Sequence, residues 1–343
     1  MSWMLSRIEE INDQHRDRFD RFPMKRSAAF KNGFSRRPIV DELLIVLGQI
    51  IERCWPEVTV RRKIYSVQVS HDVDRMNTIG PSDFQLTSLV NGGRAILLDL
   101  LKRGDYSVLG NPVRSLRFDK LKEDNFNSFN WIMETSDRHR LTSAFHFICG
   151  RTSISKDASY DIRHYDTRRL LRRIHDQGHE ICLHPSFNTY NNPDALKHEA
   201  DLLRQVLFDE GIQQDTLGAR MHYLRWSHPS TLHALDNAGL SYDCTLGYAE
   251  YPGFRCGTCQ EYPAYDPVND RVLNLRIRPL IAMESSLLKK RVLNCEEEAN
   301  AYSEFDQVRQ ACHAVGGQFT LLWHNCEFFS AQRREMYESL ISN

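Results

Sequence analysis

The chain has 343 residues, a formal net charge of -1, and 41% hydrophobic and 26% charged residues. That length holds one large domain or two ordinary ones with an ample core, and the near-neutral charge gives no electrostatic reason to expect nucleic acid. The sequence contains no apolar run long enough for a membrane-spanning helix, and residues 1–20 are too polar for a secretory signal, so the expectation is a cytoplasmic protein with no stable membrane insertion.

Residues 1–37 are polar and arginine-rich, with Phe19, Phe22, Phe30 and Phe34 interspersed, and are expected to dock on the main domain through those rings. Pro38 to Asp41 opens a helix whose apolar positions Leu43, Leu44, Leu47, Ile50 and Ile51 follow helical spacing, and Cys54-Trp55-Pro56 ends it. Ile64 to Ser70 alternates with period two and reads as a strand running into His71-Asp72-Val73-Asp74. Helical patterns follow at 85–103 and, more weakly, near 124–137. Leu141 to Ile148 is a second strand, closed by Gly150.

Residues 166–177 form an amphipathic helix pattern with Leu170, Leu171 and Ile174 on one face, and Gly178 fits the left-handed position that closes a helix. The strand 180–184 ends at Pro185, which leaves His184 where a strand gives way to a loop. A helix marked by Leu196, Ala200, Leu203 and Leu207, a short strand at 217–221, a helix at 231–238 and a strand at 241–246 come next. The stretch 248–270 is rich in Gly, Pro and Tyr and reads as a long loop. Its Cys256-Gly257-Thr258-Cys259 has the spacing of half a zinc site or a redox pair. No second pair follows, so a tight glycine loop of free thiols is the reading. A strand at 272–277, a helix at 297–315, a strand at 318–323 running into His324-Asn325, and a terminal helix complete the chain.

Strands alternating with helices predict a parallel sheet with helices outside it, and this many units fit a closed barrel better than an open sheet. Several ionisable residues fall at the C-terminal ends of these strands: Asp72 and Asp74, His184, Arg220 and His222, and His324, with Glu284 beyond the strand at 272–277. In a barrel those ends converge on one mouth. Asp72 and Asp74, spaced i, i+2, point to one side, so one carboxylate can bind a cation while the other acts as a base. His184 offers a nitrogen ligand suited to zinc. His179, at an odd offset from it on the same strand, faces away. Asn188 offers an amide oxygen, and His324 stands apart as a separate acid. A metal-bound water, a base and an acid make a hydrolase constellation.

In their order along the chain, Ser70-His71-Asp72-Val73-Asp74, Gly178-His179-Glu180-Ile181-Cys182-Leu183-His184, Arg220 and Leu321-Leu322-Trp323-His324-Asn325 resemble the polysaccharide deacetylase (NodB-homology) family. The likeness covers roughly residues 64–330 and is nearest to divergent members associated with O-antigen and capsule biosynthesis. It implies a deformed (β/α)7 barrel of parallel strands, residues 61–343, behind an N-terminal helical extension, residues 1–60. It also implies a divalent metal, zinc, and hydrolysis of an N-acyl (acetyl) group from an amino sugar that is free, nucleotide-linked or lipid-linked. By the resemblance Asp72 is the base and Asp74 a metal ligand, in an order that is reversible. His184 matches the first of the family's two metal histidines, and Asn188 stands where the second belongs. His71 is an alternative ligand. Arg220 matches the arginine that orients the base, with Arg225 a weaker candidate. His324 matches the acid, paired with Glu284. Tyr248 and Arg255 of the long loop, and Trp323, are expected to touch the sugar, unless the loop is only a packed cover over the barrel mouth. The departure at Asn188 keeps a second reading open, a barrel that has lost catalysis and only binds sugar or scaffolds.

Overall fold

The computed structural model describes residues 2–13, 15–76, 128–288 and 295–342. The helix expected at 85–103, and the first residues of the one near 124–137, lie outside them. The described strands are β1 (Ser66–Val73), β2 (Ser143–Phe147), β3 (Glu180–Leu183), β4 (Gly218–Ala219), β5 (Tyr242–Asp243), β6 (Tyr262–Asp266), β7 (Arg271–Ile277), β8 (Ala282–Met283) and β9 (Gln318–Leu322). They form one α/β sheet in the order β6-β7-β5-β4-β3-β2-β1-β9-β8, parallel at every junction except β6 to β7.

The strand ladder stops at β8, yet β7 and β8 belong to one continuous run, residues 271–283. That run pairs with β5 at its start and with β9 at its end. Between the two, Arg278 N–H bonds the Asp243 carbonyl, Leu280 N–H the Leu246 carbonyl and Ile281 N–H the Thr320 carbonyl. Both ends of the parallel set therefore meet on the same segment. This is the sense in which the expected barrel is deformed: seven strand positions (β1 to β5, the 271–283 run, and β9), with closure carried by a bend in place of a full ladder.

Period-two alternation sorts the side chains. Val67, Val69, Phe145, Phe147, Ile181 and Leu183 point outward into the main apolar core, where they meet Leu171, Ile174, Leu196 and Phe305 of the surrounding helices. The inward positions carry polar groups, among them Ser70, Asp72, His146, His184 and Arg220, all buried. Burial of one such aliphatic side chain is worth about 1.5–3 kcal/mol, so the outward face holds the sheet together while the inward face is left to chemistry. Among the described residues the expected helices form, and for local reasons. Tyr165–Asp176 is capped by the His164 side chain, which accepts from the Asp166 N–H, and is closed by Gly178 at φ +77°. Pro193–Asp209 has Asn192 as its N-cap and proline in its first turn.

Two strands were not legible in the sequence. β8 is two residues long, and β6 lies in the stretch read as loop. The rest of that stretch runs along the barrel wall, from the end of β5 to the start of β9, where the Gln318 N–H bonds the Cys259 carbonyl. Gly257, at φ +69°, makes the tight turn, and Asp41 accepts from the Thr258 hydroxyl (2.7 Å) and the Cys259 N–H (2.9 Å).

The N-terminal segment is stitched to the same wall. Glu10 accepts from Arg7 (2.9 Å) and from Nε and Nη2 of Arg255 (2.9 and 2.7 Å), and the Val40 N–H bonds the Gly257 carbonyl. Phe22 is buried but Phe30 is exposed, so only part of the expected aromatic docking occurs. The helix Ile39–Cys54 has the expected spacing, yet Leu43, Leu44, Leu47 and Ile50 are exposed. It is held through Val40, Asp41 and Gly48 instead, the last approached by Val60. No helix among the described residues is long and apolar enough to cross a membrane.

Candidate metal centre

Three donor groups meet at the C-terminal ends of β1, β3 and β4. Asp74, His184 and His222 offer ligand atoms that all lie within 4.8 Å of one another. Asp74 Oδ1 is 3.7 Å from His184 Nε2 and 3.6 Å from His222 Nε2. Two donors on one tetrahedral zinc ion sit about 3.4 Å apart, given bonds of about 2.1 Å, so the spacing is that of a shared cation.

The tautomers agree with this. His184 Nδ1 faces the Arg220 carbonyl, which only accepts, so Nδ1 carries the hydrogen and Nε2 is left with a lone pair. Burial, the largest effect, pulls the His184 pKa down despite Asp72 beside it, which favours that neutral form. His222 Nδ1 donates to Asp157 at 2.9 Å, the carboxylate–histidine arrangement that orients a ligating imidazole. Asp157 is itself fixed by the backbone N–H groups of Ser153 and Phe187, each at 2.7 Å. Asp74 Oδ1 and His184 Nε2 are buried with no hydrogen-bond partner. Orphaned acceptors facing one another are costly unless something positive lies between them, so the residues present fit a divalent cation.

Beside this cluster stand two further carboxylate pairs. Asp72 Oδ1 accepts from Arg220 Nη1 at 2.7 Å, and the other arm of Arg220 donates to Ser70 Oγ at 2.7 Å and its Nε to the Cys244 carbonyl at 3.1 Å. Asp72 Oδ2 is left 3.6 Å from His184 Nε2 and 4.0 Å from His324 Nε2. Burial alone would raise the Asp72 pKa, but His184, Arg220 and His324 outweigh it and hold the carboxyl well below the usual carboxylate range. His324 Nδ1 donates to Glu284, itself fully buried, at 2.6 Å, and its Nε2 is 3.8 Å from Asp74. Burial disfavours its charge, yet Glu284, with Asp74 and Asp72 beyond, raises its pKa well above the ordinary value, so the imidazole carries a proton to the cluster.

The structure thus brings together Asp72, Asp74, His184, Arg220, Glu284 and His324. It does not bring Asn188. That residue is exposed, its backbone and side-chain N–H groups are held by Thr152, and its oxygen accepts from Arg225 at 2.9 Å. The place expected for it is filled by His222, on the neighbouring strand end. His71 faces the helices, bonded to the Trp323 carbonyl at 2.8 Å, and Arg225 sits on the rim over the rings of Phe187 and Tyr190. His179 points away from His184 and accepts from the Ser143 N–H. The expected sugar contacts also differ. Arg255 is 2% exposed and neutralised by Glu10, Tyr248 is buried beneath the N-terminal segment, and Trp323 is buried against Phe328 and Tyr337 on the outer face of β9. Arg255 is committed to Glu10, and Trp323 has the parity opposite to His324.

Residues 1–56 match the model of a family of unknown function (DUF7033). No curated protein matches the chain. Among solved structures, the chain is similar to one described as a polysaccharide deacetylase from Mycobacterium smegmatis, with 16% identity, 83% of this chain and 85% of that chain covered, and a TM-score of 0.48. It is similar also to Puue allantoinase, with 12% identity, 81% and 83% covered, and a TM-score of 0.48. A third, described as a polysaccharide deacetylase from Pseudomonas aeruginosa PAO1, has 12% identity, 81% and 83% covered, and a TM-score of 0.46. Likenesses this distant leave the function to be argued from the site itself.

Proposed function

We propose that this chain is a metal-dependent hydrolase that removes an N-acyl group, acetyl in the simplest case, from an amino sugar. The observation that carries the reading is that a base held by Arg220 and an acid held by Glu284 flank the three-donor cluster, both within 4.0 Å of its atoms. A divalent cation held by Asp74, His184 and His222 would supply Lewis-acid polarisation of the amide carbonyl and a more acidic water.

The remaining work falls to the chain. Asp72 takes the proton of the attacking water through Oδ2, the oxygen Arg220 leaves free. The bond from Arg220 to Oδ1 fixes the direction of the Asp72 carboxylate and keeps it ionised. As the C–N bond breaks, the nitrogen takes the proton of His324 Nε2, and Glu284 stabilises the imidazole in the orientation that delivers it. Water and amide become carboxylic acid and amine. One water proton goes to Asp72, the other stays on the acid and ionises to solvent, and the proton on the amine comes from His324. Loss of a proton from Asp72 and gain of one by His324 through solvent restore both residues.

The surface-polysaccharide setting (O-antigen or capsule) and a nucleotide- or lipid-linked sugar follow from the sequence resemblance, the cytoplasmic location and the division into a 1–60 extension and a 61–343 catalytic barrel from the reading of the sequence, and all belong to the same proposal. The second reading, a sugar-binding barrel without catalysis, rested on Asn188 in place of a histidine. His222 in the cluster offers a second imidazole and supports the catalytic reading over that one. The test is acetate release from free, nucleotide-linked and lipid-linked N-acetyl sugars. Release that stops with dipicolinate and returns with zinc is expected. No release from any of them by protein carrying stoichiometric metal would contradict the reading.

A further inference from the structure

The N-terminal segment reaches the rim of the site through a loop folded on itself, residues 17–21. Asp17 accepts from the backbone N–H groups of Phe19 (2.8 Å) and Arg21 (3.0 Å) and pairs with the Arg21 guanidinium at 2.7 Å. Arg225, from the barrel, donates to the Phe19 carbonyl at 3.0 Å and to Asp20 at 2.7 Å, and the Tyr190 hydroxyl donates to Asp20 at 3.0 Å. The loop is therefore a preformed object clamped onto the barrel mouth.

What it touches there is the residue following the metal-ligand candidate His222. The Phe19 ring packs on the Tyr223 ring with centroids 4.8 Å apart, and Arg21 Nη1 donates to the Tyr223 carbonyl at 3.2 Å. Tyr223 and Leu224 have φ of 61° and 54°, two successive non-glycine residues in the left-handed region. That conformation is unfavourable for any residue with a Cβ and persists only where its surroundings hold it. Leu224 is held by burial against Leu280, Met283 and Leu322. Tyr223 is only half-buried, and its holders include the Phe187 ring at 5.3 Å, the His222 ring, the Lys156 ammonium over its face at 5.6 Å and the 17–21 loop. If Tyr223 relaxed, the backbone leaving His222 would turn, and the imidazole would lose its alignment between Asp157 and Asp74.

We propose that Phe19 and Arg21 are positioning residues for the metal ligand His222: the 17–21 loop clamps Tyr223 in its left-handed conformation and so fixes where His222 presents Nε2. This rests on the reading of Asp74, His184 and His222 as a metal site. It gives a role to part of the segment that matches a family of unknown function.

The test is titration of metal-free protein with Co2+, followed by calorimetry and by the visible d–d absorption of the bound ion, for wild type, Phe19→Ala, Arg21→Gln and Phe19→Tyr. Residues that support a ligand from outside the metal's own shell typically change affinity by about 10–100-fold. Phe19→Ala and Arg21→Gln should each lose about 10-fold or more and shift the d–d spectrum, with the thermal midpoint of the metal-free protein unchanged. Phe19→Tyr should restore both readouts. Arg21→Gln keeps the ring contact and carries the test alone if Phe19→Ala fails to fold. Wild-type affinity and spectrum in both variants would overturn the proposal while leaving the metal site intact, as would weakened binding with an unshifted spectrum and a lowered midpoint. Failure of the wild type to bind Co2+ would instead overturn the metal-site reading beneath it.

Discussion

Replacing His222 with alanine is expected to lower the affinity for a divalent cation by at least about 10²-fold, because even residues that only orient a ligand cost 10–100-fold. Asn188→Ala, four residues from His184 in sequence, should leave that affinity at the wild-type value. The contrast follows from where the two side chains go. His222 Nε2 is 3.6 Å from the orphaned Asp74 oxygen, and its Nδ1 is anchored on Asp157. The Asn188 amide spends its oxygen on Arg225 and its nitrogen on Thr152, at the exposed rim. Calorimetric titration of both variants with zinc, alongside circular dichroism to show that the fold persists, checks the pair. Equal losses in both, or a loss in Asn188→Ala alone, would move the metal to a different set of ligands.

His324→Ala should cut turnover by about 10² to 10⁴, the range for removal of a general acid or base, and leave the bound metal unchanged. The asymmetry arises because His324 faces the cluster with an N–H and not a lone pair. Glu284 accepts from its Nδ1, and three surrounding carboxylates raise its pKa well above the ordinary value. A protonated imidazole is a proton donor and a poor ligand. Retained activity would remove the acid assignment, and a loss of metal would make His324 a ligand. Measured together, metal content and kcat separate the two roles.

The strands β1, β3 and β9 were legible because each alternates or is bounded by turn residues, and each delivers a site residue directly at its end: Asp72 and Asp74, His184, His324. The fold class followed from the order of such runs. What sequence hid was adjacency between strands. The second imidazole was expected four residues after His184, within one turn. It comes from the next strand end, thirty-eight positions on, where β4 has only two residues and offers almost no pattern. A signal was present: Arg220 and His222 are spaced i, i+2, as are Asp72 and Asp74, so they share the inward face once the strand is accepted. Parity also separates Trp323 from His324, and would have removed Trp323 from the sugar contacts. Arg255 misled for another reason. An arginine in a Gly- and Tyr-rich loop reads as a ligand for substrate, and nothing local reveals that its partner is Glu10, at the far end of the chain.

Everything proposed for the chemistry depends on Asp74, His184 and His222 gripping one ion. X-ray absorption at the metal edge, on wild-type protein reconstituted with zinc and dialysed, measures that directly. The expected result is one ion per chain in a shell of two imidazole nitrogens and oxygen ligands, with one imidazole signal lost in His222→Ala. An ion absent after dialysis, or a sulfur-containing shell that places it at the cysteines, would contradict the account.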